Sequence, residues 1–390
     1  MVIGVDARAA AEEPAGRGRV LRELLPALAS RGDAHRYLLY CRRPWDGAPL
    51  DERFRWVPIG LPDPAWHAVA ALRANRGCDA FLSTNSYLTA WMLRMPCVVV
   101  VYDMVAFLPQ THAQKRAARI ERATIRPAIH RAARLVCISR STEKDLLRLF
   151  PPADGKTTVV PLAADRRFQR QRTSAEVERT AARYGVTAGS YVLSAGTLEP
   201  RKNLLRLIRA HAALPPELRG DHPLVIVGPR GWEEQQIMRA AADAEAVRLT
   251  GFVADDDLAA LYAGCTVFCY PSLYEGFGLP VLEAMASGAA VITSHVSSLP
   301  EVGGDAVEYV DPADEGSIAA ALERLLRSPG ERAQLAERAL RRAAEFSWER
   351  FAGELIEQLE RAAGARPERS RAGIAKARER AAQAWASRRS

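Results

Sequence analysis

Two doubly wound halves, each a parallel β-sheet covered by helices on both faces, follow from the patterning of this 390-residue chain. Short apolar, β-branched runs alternate with longer helical patterns along most of its length, and such alternation buries a parallel sheet on both sides. Several of the runs stop at a glycine. The length leaves room for two cores of ordinary size, with 48% hydrophobic and 26% charged residues.

Taken in order, Val2-Ile-Gly-Val-Asp6 is an opening strand, and the glycine loop Gly16-Arg-Gly18 feeds a helix beginning near Arg19. Such a loop can cradle phosphate, although short Gly-x-Gly pieces are common. Strands follow at Arg36 to Cys41, Asp79 to Ser83, Cys97 to Asp103 and Leu135 to Ser139. Another ends near Val159, and the polar segment Arg166 to Ser174 then leads to a new helix, which puts the domain junction at residue 165. In the second half, strands are expected at Tyr191 to Thr197, Leu224 to Gly228, Val247 to Val253, from Val267, and at Ala290 to Ser294. The fold class is therefore α/β with two Rossmann-like domains, residues 1–165 and 166–345, followed by helical sequence over 346–363 and a basic tail over 364–390.

The segment Ser272-Leu-Tyr-Glu275-Gly-Phe-Gly-Leu-Pro-Val-Leu-Glu283 carries the most chemistry. Pro280 suits a first helical turn, where its missing N–H costs nothing. Glu275 then lies in a strand-to-helix loop, and Glu283 projects from the first turn of the helix. The amides of Gly276, Phe277, Gly278 and Leu279 converge on the positive end of that helix, which is an anion site. An ionised carboxylate accepts hydrogen bonds from two adjacent hydroxyls. Acids on either side of a phosphate seat describe a ligand with a diphosphate in the middle and a polyol at each end, that is, a nucleotide sugar. Taken singly, each glutamate reads equally well as a helix-dipole residue or a solvated loop charge; their combination with Gly-Phe-Gly is what argues for a site. Upstream, the strand ending at Gly196-Thr197 is followed by Arg201 and Lys202 and then by a helical pattern from Leu204 to Leu214. Two cations thus stand at a strand's carboxyl end, where open parallel sheets bind ligands.

Together these motifs resemble the signature of the retaining glycosyltransferases of family 4, which have the GT-B fold. The resemblance covers roughly residues 1–363 and is strongest from Tyr191 to Asp311. It implies that Glu275 contacts the transferred sugar, that Glu283 holds the nucleotide ribose, and that Arg201 and Lys202, beside Gly196, neutralise the diphosphate as it leaves. It also sets Gly228 and Val253 against the nucleobase, closes the Gly16–Gly18 loop over the phosphates, and folds the 346–363 helix back onto the first, acceptor-side domain. At the end of the Cys97–Asp103 strand, members of the family usually have a histidine followed by aspartate; here Tyr102 precedes Asp103. A phenol donates a hydrogen bond to a sugar hydroxyl, but with a pKa near 10 it does not shuttle protons at neutrality. Asp103 is carried as a site residue, with a loop cap as its alternative. In the family the leaving diphosphate itself takes the acceptor's proton, so neither metal nor cofactor is expected. Gly4-Val-Asp-Ala-Arg8 and Val160-Pro-Leu-Ala-Ala-Asp165 look like those of mannosyltransferase-type members that build surface polysaccharide. GDP-mannose is thus the first donor expected, with a glycan or lipid-linked acceptor.

Other classes fare less well. Asp255-Asp-Asp257 invites reading as a metal-binding acidic motif, but Asp255 stands where an N-cap belongs, ahead of an amphipathic helix. The six cysteines form no Cys-x-x-Cys pair and fall mostly in apolar strands, against structural zinc or a disulfide framework. No serine-histidine-acid set or cysteine nucleophile accompanies the phosphate-binding parts. Without a signal-peptide layout or a membrane-length apolar run, a cytoplasmic location is expected.

Of the net charge of +8, the stretch from Gly364 to Ser390 holds a surplus of six, eight basic residues against two acidic. Such a tail reads as disordered and solubilising, or as adhering to anionic lipid through Trp385 and its cations. A second basic stretch, Lys115 to Arg134, repeats its cations at helical spacing, with Ile120 and Ile125 available for another face. It reads as a solvated helix or as peripheral contact with the anionic inner face of the cell membrane. No motif supports nucleic acid as a partner. Two rival functions stand beside the transferase: a nucleotide-sugar epimerase on the same scaffold, and a degenerate nucleotide-sugar-binding scaffold protein.

Overall fold

The structure is a computed structural model that describes residues 1–13, 16–47, 49–84, 86–108 and 114–364; the basic tail beyond Gly364 lies outside them. Among the described residues there are two parallel sheets. The first holds β1 (Val2–Asp6), β2 (Arg36–Cys41), β3 (Phe54–Pro58), β4 (Ala80–Ser83), β5 (Cys97–Val101), β6 (Arg134–Cys137) and β7 (Thr157–Val159), in the order β3-β2-β1-β4-β5-β6-β7. The second holds β8 (Val192–Ala195), β9 (Leu224–Val227), β10 (Val247–Gly251), β11 (Val267–Tyr270), β12 (Val291–Ser294) and β13 (Glu308–Val310), in the order β10-β9-β8-β11-β12-β13. Each sheet starts in its interior and reverses direction after its third strand. The reversal opens a crevice beyond the strand ends between β1 and β4 and between β8 and β11, where sheets of this kind bind ligands.

Central strands are apolar because both faces are covered. All five residues of β5, Cys97-Val-Val-Val-Val101, are buried, as are all four of β8 and of β11. Edge strands are mixed: β3 and β10 have no fully buried residue. One apolar cluster runs through both domains, from Ile3 and Leu24 in the first to Tyr191, Phe268 and Val281 in the second, and on to Phe351 and Leu355. The last two belong to the final helix, Trp348–Gly364, which packs on the Arg17–Ser30 helix and against β4, β5 and β6. Its Trp348 indole donates to the Ala164 carbonyl at 3.0 Å. Burying Phe351, Leu355, Ile356 and Leu359 contributes about 1.5–3 kcal/mol each.

Some boundaries differ from expectation. The first long helix begins at Arg17, two residues early, and so takes Gly18 into its first turn. In the Lys115–Arg131 helix, Ile125 is buried, but Ile120 is 57% exposed, so the two do not share an apolar face; five residues apart, they differ by well over a quarter turn. Asp255 is the first residue of its helix, Asp255–Gly264, and Ala254 is the N-cap.

Candidate active site

Residues that follow β8, β9, β10 and β11 on one side, and β1 and β5 on the other, line a cleft of about 460 Å³ between the domains. Glu275 lies deep in it. Its Oε1 accepts from Lys202 Nζ at 2.7 Å, Ser272 Oγ at 2.7 Å and the Tyr270 hydroxyl at 2.8 Å, while Oε2 pairs with Arg201 Nη1 at 2.8 Å. Arg201 also pairs with Glu199, and Lys202 Nζ donates to the Tyr270 hydroxyl. Burial pushes the Glu275 carboxyl up, but Arg201, Lys202 and the Ser272 hydroxyl outweigh it and bring the pKa down to about 2. Lys202 moves the other way: burial and the adjacent guanidinium lower its pKa despite Glu275. The sequence places these groups by local means. Pro200–Lys202 forms a single 3-10 turn after β8, and Asn203 closes it in the left-handed region at φ 59°, its side chain donating to the carbonyls of Pro271 and Pro312.

The loop from Glu275 to Gly278 is pinned by Ser297 Oγ on the Glu275 amide and by Ser298 Oγ on the carbonyls of Glu275 and Phe277. It ends in the Leu279–Ala286 helix with Pro280 in the first turn, as expected. The amides of Gly276, Phe277, Gly278 and Leu279 find no acceptor among the described residues. Gly276 is also where the domains touch. Its carbonyl accepts from Ser139 Oγ at 2.6 Å and Thr142 Oγ1 at 3.1 Å, and a Cβ there would fall 2.1 Å from the Tyr102 carbonyl oxygen. Gly228 meets a similar constraint, since a Cβ would fall 1.9 Å from the Gly196 carbonyl oxygen and its φ is 153°. Both glycines and Val253 line the cleft.

Glu283 is the fifth residue of its helix and so opens the second turn, one turn deeper than expected. It is not empty-handed. Arg19 Nη1 pairs with Glu283 Oε1, and Arg19 Nη2 pairs with Asp255 Oδ1 at 2.5 Å. At Glu283 burial opposes the guanidinium and wins, pushing the carboxyl up to about 7. Asp255, read from the sequence as a cap, is thus a cleft residue, joined also to Arg167 at 3.2 Å. Gly16 lines the cleft, but Gly18 does not: a Cβ there would fall 1.8 Å from the Glu13 carbonyl oxygen, so that glycine serves packing. Tyr102 and Asp103 line the opposite wall, and Asp103 Oδ1 accepts from the Val105 amide at 2.9 Å. Sequence reasoning missed Arg17, Arg19, Glu199 and Tyr270. Glu199 and Tyr270 flank motifs it had already found, whereas Arg17 and Arg19 follow only from knowing that the glycine loop faces the second domain.

The family described as "Glycosyl transferases group 1" matches residues 184–342, and "Glycosyltransferase Family 4" matches residues 14–168. O-antigen chain mannosyltransferase B of Escherichia coli is 37% identical over 258 residues, covering 65% of this chain and 67% of that protein. Serotype-specific mannosyltransferase WbdA of Escherichia coli is 35% identical over 237 residues, 59% of this chain but only 29% of its own length. Sucrose-phosphate synthase from Thermosynechococcus elongatus superposes with a TM-score of 0.74 over 93% of this chain and all of that one, at 21% identity, a likeness of fold alone. Neither the epimerase nor the scaffold reading is favoured by these likenesses. The chain belongs to the group 1, family 4 glycosyltransferases and carries their two-domain fold.

Proposed function

We propose that this protein transfers a mannosyl group, with retention of configuration and without a metal, from GDP-mannose to a glycan or lipid-linked glycan destined for surface polysaccharide. One observation carries the reading: Glu275, Arg201 and Lys202 form an ionic cluster deep in the cleft, beside the four amides of residues 276–279, which find no acceptor among the described residues. The names of the two mannosyltransferase relatives support the sugar and the type of product.

On this reading the diphosphate lies between the two cations and the amides of residues 276–279, and the cations turn from Glu275 toward it. Glu275, freed in part, accepts from hydroxyls of the transferred sugar. Glu283 keeps Arg19 on one oxygen and offers the other to the ribose. Val253 and Gly228 border the base. When the bond from the anomeric carbon to the diphosphate oxygen breaks, the electron pair leaves with the diphosphate, where Arg201, Lys202 and the helix amides stabilise it. The acceptor oxygen bonds to the anomeric carbon on the same face, and its proton passes to the departing diphosphate. The protein contributes position and electrostatics, not a nucleophile.

The Lys115–Arg131 helix presents Lys115, Arg119, Arg122 and Arg126 together on one exposed face. That surface supports docking at an anionic membrane on its cytoplasmic side. No helix among the described residues is long and apolar enough to cross a membrane. A panel of nucleotide sugars, with and without crude lipid acceptor and with excess chelator, tests the proposal. Incorporation of mannose with an α-linked product from GDP-mannose is expected, unaffected by chelator. Silence across the panel sinks the activity, and an inverted product sinks the retaining mechanism.

A further inference from the structure

We propose that a small recess opening beside the cleft in the first domain is an acceptor subsite that takes one hydroxyl of a neutral sugar and rejects a phosphorylated one. The inference rests on the transferase reading above and adds the chemical class of the acceptor.

The recess holds about 20 Å³, room for one oxygen-sized group. Arg17 enters it from the start of the first long helix, Ser86 and Tyr87 from the start of the Tyr87–Met92 helix, Tyr102 and Asp103 from the end of β5, and Glu121 from the basic Lys115–Arg131 helix. Arg17, Tyr102 and Asp103 also line the donor cleft, so a group seated in the recess stands next to the donor. The Tyr102 hydroxyl oxygen is buried and has no hydrogen-bond partner among the described residues. Buried phenols ordinarily have one, so this oxygen is built to meet something that arrives.

Charge decides what arrives. Around Arg17 stand three carboxylates, those of Glu13, Asp103 and Glu121, against its single positive charge. A phosphate brought here meets a surplus of negative charge and too little space. A single sugar hydroxyl suits the same groups, donating its one proton to Asp103 or Glu121 and accepting from Arg17 and Tyr102. Burial, with Asp103 adding to it, pushes the Glu121 carboxyl up to about 7. Protonated or not, it supplies no positive charge.

The test uses the full chain. GDP, UDP, ADP and TDP are first titrated by calorimetry. With the tightest of them present, methyl α-mannoside and mannose 6-phosphate are titrated by saturation-transfer NMR. The mannoside is expected to bind at least about tenfold more tightly. Glu121→Lys should bring that ratio close to one or invert it, Glu121→Gln should narrow it, and Tyr102→Phe should weaken the mannoside. Equal or tighter binding of mannose 6-phosphate, binding of neither sugar while a nucleotide binds, or a ratio unmoved in both Glu121 variants overturns the inference. Failure of every nucleotide to bind the parent protein overturns the transferase reading instead.

Discussion

Replacing Glu275 by glutamine keeps the outline of the side chain and removes its charge, which isolates the ionic part of the cluster. In the parent protein its two oxygens meet Lys202 at 2.7 Å and Arg201 at 2.8 Å, and the three side chains are 8%, 9% and 14% exposed in that order. The variant leaves two buried cations with only Glu199 between them. Removing one partner of a buried pair costs about 3–5 kcal/mol. At roughly 2–4 °C per kcal/mol for domains of this size, the melting temperature falls by about 6–20 °C. A nucleoside diphosphate restores the missing negative charge, so Glu275→Gln should bind it more tightly and gain more stability from it than the parent at the same free GDP concentration; a hundredfold excess over Kd is worth about 2.7 kcal/mol, and each tenfold gain in affinity adds about 1.4 kcal/mol. Differential scanning calorimetry with and without GDP reads both numbers. A variant that melts with the parent, or that gains no more from GDP than the parent does, refutes the idea that Glu275 holds the cations for a diphosphate.

Lys202→Ala and Glu275→Ala should each lower mannosyl transfer by at least about 10²–10³-fold, whereas Glu283→Ala should mainly weaken nucleotide binding; steady-state kinetics beside calorimetry separates the two patterns. The Glu275 carboxyl, at about 2 against an ordinary 4.5, contributes stability that is present above pH 4.5 and lost as pH falls toward 2; acid melts of Glu275→Gln should lack that loss. Glu283 has the opposite sign. Raised from 4.5 to about 7, it favours the folded state most below pH 4.5, and that margin is lost as pH rises through 7, while nucleotide affinity improves over the same interval because the ionised carboxylate accepts both ribose hydroxyls. Glu283→Gln should flatten both profiles. Gly276→Ala puts a Cβ 2.1 Å from the Tyr102 carbonyl oxygen, so the domains should close less fully, with transfer lost and nucleotide binding to the second domain kept; small-angle scattering with GDP present checks the closure.

What the sequence disclosed is what depends on neighbours along the chain. Central strands such as β5 and β8 are buried on both faces and announce themselves as apolar runs, while Gly196, Gly228 and the Glu275–Glu283 segment mark strand ends and a helix start. Edge strands announce little. β3 alternates half-heartedly and ends at Pro58, and β13 is three residues long. The pairing of Arg19 with Glu283 joins residues 264 positions apart, and nothing in either local pattern encodes it; it exists because the second domain closes over the first. Asp255 misled for a related reason. A carboxylate at the start of a helix satisfies local rules for a cap, and only the folded cleft shows it turned to Arg19 and Arg167. Glu121, half-buried with Asp103 and Arg17 close by, lies on a helix whose sequence reads as solvated and basic.

The most direct measurement is a calorimetric series of guanosine, GMP and GDP, with the uridine series alongside, against the parent protein and Lys202→Ala. If the pyrophosphate is gripped by the paired cations and the helix amides, affinity climbs steeply with each phosphate in the parent and the gain from the second phosphate disappears in the variant. Equal binding of nucleoside and diphosphate, or a full gain retained without Lys202, would contradict it.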